Sequence, residues 1–209
     1  MNLPTAVELA AAVRSGKLTA VEATKAALSR LERHDPQIGA FQVIRADRAL
    51  AEAAKLDARR DKASLPLAGV PIAIKDNIPV AGEPMRDGSA ATSAEAQPAD
   101  HEIVARLRAA GAIVIGITRV PELCVFGTTD SVFGISRNPW NVARTPGGSS
   151  IAVPPLATPA ACQALACSFS SHQYSWSARW RPSRVRSYTG KGSVLIAPAM
   201  SCTHANTVA

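Results

Sequence analysis

The sequence predicts an α/β fold in which a helical opening is followed by a strand, helix, strand unit. Three observations predict it. Two hydroxyl and carboxylate pairs, Thr5-Ala-Val-Glu8 and Thr19-Ala-Val-Glu22, stand at the head of helical patterns. Two short apolar runs, Val70-Pro-Ile-Ala-Ile74 and Ala112-Ile-Val-Ile-Gly-Ile117, have the length and content of buried strands. An amphipathic pattern with Ile103, Val104 and Leu107 on one face lies between them.

Each hydroxyl sits three residues before its carboxylate, the spacing at which both can satisfy free amides of a first helical turn, so two short helices are expected. Gly16 is placed to end the first, and Asp35-Pro36 to end the second, because proline cannot supply a helical N–H. The run Phe41-Gln-Val-Ile44 then leads into an alanine-rich helix over residues 46 to about 60. The strand from Val70 ends at Lys75-Asp-Asn, a Gly- and Pro-containing loop reaches Pro98, Asp100 caps the next helix, and Gly111 closes it. Right-handed crossover makes the two strands parallel and gathers ligands at their carboxyl ends, where Lys75 sits.

Composition bounds the class. With 209 residues, 47% apolar and 19% charged, the chain has enough apolar content for a globular core. The first eighteen residues carry Glu8 and lack a basic start, so no secretory leader is read there. The longest uncharged stretch, residues 145–178, is broken by Pro146, Pro154, Pro155 and Pro159, which excludes a membrane span. A cytoplasmic protein without membrane contact is expected. Cys124, Cys162, Cys167 and Cys202 show neither a C-x-x-C pair nor zinc-finger spacing, so free thiols and no metal are expected. Of the 23 basic residues only Arg179, Arg181, Arg184, Arg186 and Lys191 lie beyond Ser150, whereas none of the 16 acidic ones does. The net charge of +7 therefore divides into +2 before that point and +5 after it. This break in composition divides the chain into residues 1–150 and a basic, poorly ordered tail, residues 151–209.

Several segments of the first part, read in order, resemble the amidase signature family: Gly69-Val-Pro-Ile-Ala-Ile-Lys-Asp-Asn77, Arg106-Leu-Arg-Ala-Ala-Gly-Ala-Ile-Val-Ile-Gly116, Phe133-Gly134, Arg137-Asn-Pro-Trp-Asn141 and Thr145-Pro-Gly-Gly-Ser-Ser150. The resemblance implies the amino-terminal part of a mixed-sheet fold, a helical layer plus the first strands. It also implies hydrolysis of, or transfer from, carboxylic amide C–N bonds of small molecules through an acyl-serine, with no cofactor. In such enzymes a Ser, cis-Ser, Lys triad works as a proton relay. The motifs carry Lys75 over as the base and Ser149 as the bridging serine. A neutral lysine amine can take a proton from the bridging hydroxyl, which takes one from the nucleophile, provided burial keeps the amine uncharged. Gly147-Gly148 gives the serine loop its conformational freedom.

The resemblance stops before the nucleophile. Family members continue into a Gly-Gly-Ser-Ile-Arg-like turn about two dozen residues after the bridging serine, whose amides form the oxyanion hole. That count reaches Gln173, and Ser170-Ser-His-Gln-Tyr-Ser175 holds no glycine and no matching turn, so Ser171 and Ser175 are poor substitutes. A reading-frame change near codon 150 explains the break, since an alternative frame over residues 151–163 permits Gly-Ser-Ala-Ala-Val-x-x-Ala-Gly-x-Val-Pro. The chain alone is expected to be inactive, with uncovered apolar faces and sheet edges that make it poorly soluble or partner-dependent. Two rival readings remain open. The segment Trp176-Ser-Ala-Arg-Trp-Arg-Pro-Ser-Arg-Val-Arg-Ser-Tyr188 interleaves arginines with aromatics as a nucleic-acid-binding tail would, although nucleic acid is not the expected partner. Alternatively the chain is a catalytically silent partner of a complete amidase. Oligomeric state and the particular amide are not readable from the sequence.

Overall fold

A computed structural model describes residues 4–148. Ser149, Ser171, Gln173, Ser175 and the whole basic tail lie outside the described residues.

The chain opens with α1 (Ala6–Arg14) and α2 (Ala20–Ile38), each beginning with the capping box its sequence predicts. Thr5 and Thr19 accept from the amides of Glu8 and Glu22 at 3.2 and 3.0 Å, and the carboxylates return to the threonine amides at 2.7 and 2.8 Å. Ala20, Ala23, Thr24, Ala27 and Leu31 recur at helical spacing on the buried face of α2. After β1 (Phe41–Ile44), α3 (Ala46–Asp57) buries Ala49, Ala53 and Leu56 on its own inner face. Small alanines on both helices let them approach closely. Asp57, at the end of α3, accepts from the amides of Ala20 (2.9 Å) and Val21 (3.1 Å), placing a negative charge on the amino terminus of α2.

Two expectations need correction. The second helix is neither short nor ended by Pro36, but runs 19 residues with Pro36 inside its last turn. A proline there forfeits one hydrogen bond, while two further helical residues carry Ile38 into the core. Termination falls to Gly39, whose left-handed backbone (φ 64°) donates to the Asp35 carbonyl at 2.7 Å. The second correction concerns Asp100. The cap of α4 (Glu102–Ala109) is His101, whose Nδ1 accepts from the Ile103 amide at 3.2 Å. Asp100 instead accepts from the Ala81 amide at 2.8 Å and pairs with Arg108 at 3.0 Å, holding the preceding loop to the helix.

Three strands form a mixed sheet in the order β1, β3, β2, with β2 (Pro71–Lys75) parallel and β1 antiparallel to the central, wholly buried β3 (Ile113–Thr118). Register runs from Pro71 opposite Ile113 to Lys75 opposite Thr118. β1 bulges between Phe41 and Val43 and lies directly over Gly116. A β-carbon there would stand 2.6 Å from the Val43 carbonyl oxygen and 2.7 Å from the Phe41 ring. Ile113, Ile115, Ala73 and Phe41 pack with the α1 to α3 layer, whereas Ile72, Ile74, Val114 and Ile117 pack with Val80 and Val104. The sheet is thus covered on both faces, as a parallel pair requires. A two-stranded ribbon, β4 (Asp130–Ser131) with β5 (Gly134–Ile135), follows outside this sheet. Among the described residues no helix is long and apolar enough to cross a membrane.

Candidate active site

The alternation of β2 buries Ile72 and Ile74 and leaves Lys75, the last residue of the strand, half-buried at the carboxyl end of the sheet. Asp76 follows it into the interior. It is 1% exposed and extends the pairing by donating its amide to the Thr118 carbonyl at 3.1 Å. Its carboxylate accepts from the amides of Arg86 (2.9 Å) and Gly88 (3.1 Å), and its carbonyl accepts from the Asp87 amide (3.0 Å). Three bonds from one residue therefore fold residues 86–88 back under the end of β2. Burial raises the Asp76 carboxyl above its ordinary value; the two amides and the Arg86 charge oppose the rise, and the Asp87 charge adds to it.

That returned loop meets the chain leaving β3. Gly88 (φ 67°) is required there, because a β-carbon would fall 2.6 Å from the Pro121 carbonyl oxygen and 2.7 Å from that of Val120. The Asp87 carbonyl accepts from the Leu123 amide at 2.8 Å, Ser89 donates to Glu122 at 2.7 Å, and the Cys124 thiol donates to the Asp87 carboxylate at 3.3 Å. Asp87, Leu123 and Cys124, with φ of 49, 52 and 59°, are the three non-glycine residues with positive φ among those described. Each such residue costs about 1–2 kcal/mol, and all three converge here.

Cys124 is half-buried, and burial pushes its thiol up to about 11. The Lys75 ammonium opposes this through charge and a hydrogen bond, while the Asp87 carboxylate reinforces it. Amine, thiol and carboxylate thus form one contiguous group at the strand end. Just beyond, the glycine-rich segment is pinned to the same stretch of chain. Buried Thr129 donates to the Gly147 carbonyl at 2.5 Å, and Gly148 lies so close over the carbonyl oxygens of Phe126 and Thr128 that a β-carbon would overlap both. Gly148, next to Ser149 in sequence, is therefore held on residues that follow Cys124 by two to four positions.

The structure gives Lys75 a place at a sheet end, and Ser149 lies outside the described residues. Sequence reasoning missed Asp76, Asp87 and Cys124 as parts of one cluster. The acid directly after Lys75 and the Asp87-Gly88 turn pair were signals available for the first two; nothing in the sequence marked Cys124 beyond a free thiol. Among the described residues no three His, Cys, Asp or Glu side chains converge as metal ligands would. A cleft of about 220 Å³ lined by Glu52, Lys55, Arg59, Arg108 and Ile113 opens at the other end of the sheet, since Ile113 pairs with Pro71 rather than with Lys75.

The mixed sheet beneath a helical layer is the fold shared with amidase signature enzymes of solved structure. The chain belongs to the amidase family, whose model matches residues 22–151. It is 50% identical over 137 residues to AmiB2 of Mycobacterium tuberculosis, an amidase by name, covering 65% of this chain and 29% of that protein. It is 45% identical over 140 residues to a glutamyl-tRNA(Gln) amidotransferase subunit of Symbiobacterium thermophilum, with the same two coverages. Among solved structures it is similar to a bacterial aryl acylamidase of the amidase signature family, with a TM-score of 0.65 at 28% identity over 71% of this chain and 32% of that one. The chain thus spans less than a third of the length of these relatives.

Proposed function

We propose that residues 1–150 carry the base and bridging-serine portion of an amide C–N hydrolase or transferase site, with Lys75 as base and Ser149 as relay, acting on small-molecule amides without a cofactor. The observation that carries this reading is the strand-end cluster. Lys75 is half-buried against Cys124, and the glycine-rich segment leading to Ser149 is pinned two to four residues further along the same chain. We further propose that this chain alone turns over little or no amide, because the stretch around Gln173 offers neither a nucleophile turn nor glycine amides for an oxyanion hole. Tail residues 151–209 are proposed as an unmatched segment, and the nucleotide sequence around codon 150 tests their origin. The functional test is turnover of simple aliphatic and aryl amides by the full 209-residue chain beside its Lys75→Ala variant. Turnover lost in the variant would refute the inactivity while supporting Lys75. Turnover kept in the variant would refute both.

A second reading has its own supporting observation. Leu123, Val125, Phe126, Val132, Ile135, Trp140 and Val142 are large apolar side chains, each at least half exposed, and all fall within twenty residues of one another. Such an exposed apolar stretch suits a catalytically silent partner that docks on a complete family member. Co-purification with an intact homologue supports it; a chain that stays monomeric beside that homologue counts against it.

A further inference from the structure

The proton relay makes no use of Cys124, yet the local backbone is arranged around it. Two consecutive residues bearing side chains, Leu123 and Cys124, hold left-handed conformations. They are fixed there by the Leu123 amide on the Asp87 carbonyl (2.8 Å) and the Cys124 amide on the Pro121 carbonyl (2.9 Å). Leu123 is left 55% exposed, while Cys124 beside it is half-buried. Two successive strained residues bearing side chains, held by specific hydrogen bonds, point to a role at this turn. There the sulfur donates to the Asp87 carboxylate at 3.3 Å, and Asp87 is itself held by Asp76, the residue next to Lys75. Lys75 also interacts with the same sulfur, through charge and a hydrogen bond.

We propose that Cys124 is a positioning residue for Lys75, its thiol bridging the Asp87 carboxylate and the lysine amine and so fixing the direction in which that amine points. The inference rests on the assignment of Lys75 as the base. The chemistry suits the task. A lysine head has three donors on a flexible four-carbon stem and needs an acceptor to hold it in one orientation. A thiol donates and accepts weakly, so it can orient the amine while leaving it available for proton exchange, which a second carboxylate at that place would not. A cysteine that merely fills space would be replaced by alanine with little consequence at Lys75.

The test uses the full 209-residue chain and needs no turnover. Trace acetylation with acetic anhydride is followed by peptide mass at Lys75, with exposed Lys25 as the internal standard. Cys124→Ala is expected to raise the Lys75 rate relative to Lys25 about fivefold, the worth of one ordinary hydrogen bond, and Cys124→Ser to return it to within about twofold of the parent. Asp87→Asn, which removes the carboxylate behind the thiol, is expected to raise it as well. An unchanged Lys75 rate in Cys124→Ala, or a serine variant behaving like the alanine one, overturns the proposal. Should Cys124→Ala fail to fold, Asp87→Asn decides alone, and an unchanged rate there overturns it equally. Failure of the base assignment shows separately: acetylation would report the coupling, while turnover by an active relative would survive loss of its equivalent lysine.

Discussion

Replacing Asp76 with alanine removes the acceptor for two amides and nothing else from the fold of residues 86–88. The Gly88 amide is buried and the Arg86 amide half-buried, and each loses its partner at 3.1 and 2.9 Å; the Asp87 amide keeps the Asp76 carbonyl. An orphaned buried amide costs about 1–3 kcal/mol, and the half-buried one recovers part of its loss from water. Against this stands the burial penalty that already raises the Asp76 carboxyl, which alanine relieves. The net expectation is about 2–3 kcal/mol of destabilisation. Urea denaturation followed by far-ultraviolet circular dichroism measures it, and limited cleavage after Arg86 by an arginine-specific protease reports whether the loop opens locally. The sign with pH is fixed as well. A carboxyl raised in the folded state binds its proton more readily there than in the unfolded chain, so its contribution to stability declines as pH rises from the ordinary value of 3.8 through the raised one. The gap between parent and variant should therefore be widest on the acid side of that window. An unchanged urea midpoint together with unchanged nicking at Arg86 would refute the view that this carboxylate holds the loop.

Arg45 is 5% exposed and donates to Glu83 (2.8 Å), the Val114 carbonyl (2.7 Å) and Glu52 (3.0 Å), so Arg45→Ala is expected to cost about 3–5 kcal/mol in denaturant unfolding. Arg48, which meets the same Glu83 from a side chain 54% exposed, should cost under about 1 kcal/mol on the same assay. Glu22, lowered by its hydrogen bonds to the Thr19 amide and hydroxyl, stabilises α2 above its ordinary value of 4.5 and loses that effect as pH falls through the lowered one. Glu22→Gln should therefore reduce helical dichroism at neutral pH, and the difference from the parent should vanish in acid. Cys124 should alkylate with iodoacetamide far more slowly than glutathione at neutral pH and accelerate only as pH approaches about 11, followed by peptide mass.

The legible part of the fold was written in local chemistry. Thr5 with Glu8, Thr19 with Glu22, and the apolar runs ending at Ile74 and Ile117 each specify an element through nearest-neighbour spacing, and each forms where that spacing places it. What could not be read depended on partners distant in sequence. Pro36 stays helical because Ile38 has a core to enter, and Asp100 is drawn from the cap of α4 by Ala81 and Arg108. Lys75 was marked by a motif. Its surroundings were not, because Asp87 and Cys124 are brought together across 37 residues by a loop whose return is dictated by Asp76.

These facts bear on where the molecule departs from its own preferences. Elsewhere local and global demands largely agree: α1, α2 and α4 carry side-chain caps, and β2 and β3 are built from apolar runs. Beyond the end of β2 they conflict: three left-handed residues bearing side chains are tied by hydrogen bonds to one another or to the carbonyl of buried Asp76, which follows Lys75. Strain of this kind persists only where surrounding structure enforces it. Here the enforcement comes from Asp76 and from Gly88 packed on the Val120 and Pro121 carbonyls. A solvated lysine at the end of a strand needs none of this apparatus. Its presence next to Lys75 is what supports the proposal of a held side chain over a solvated flank of the sheet.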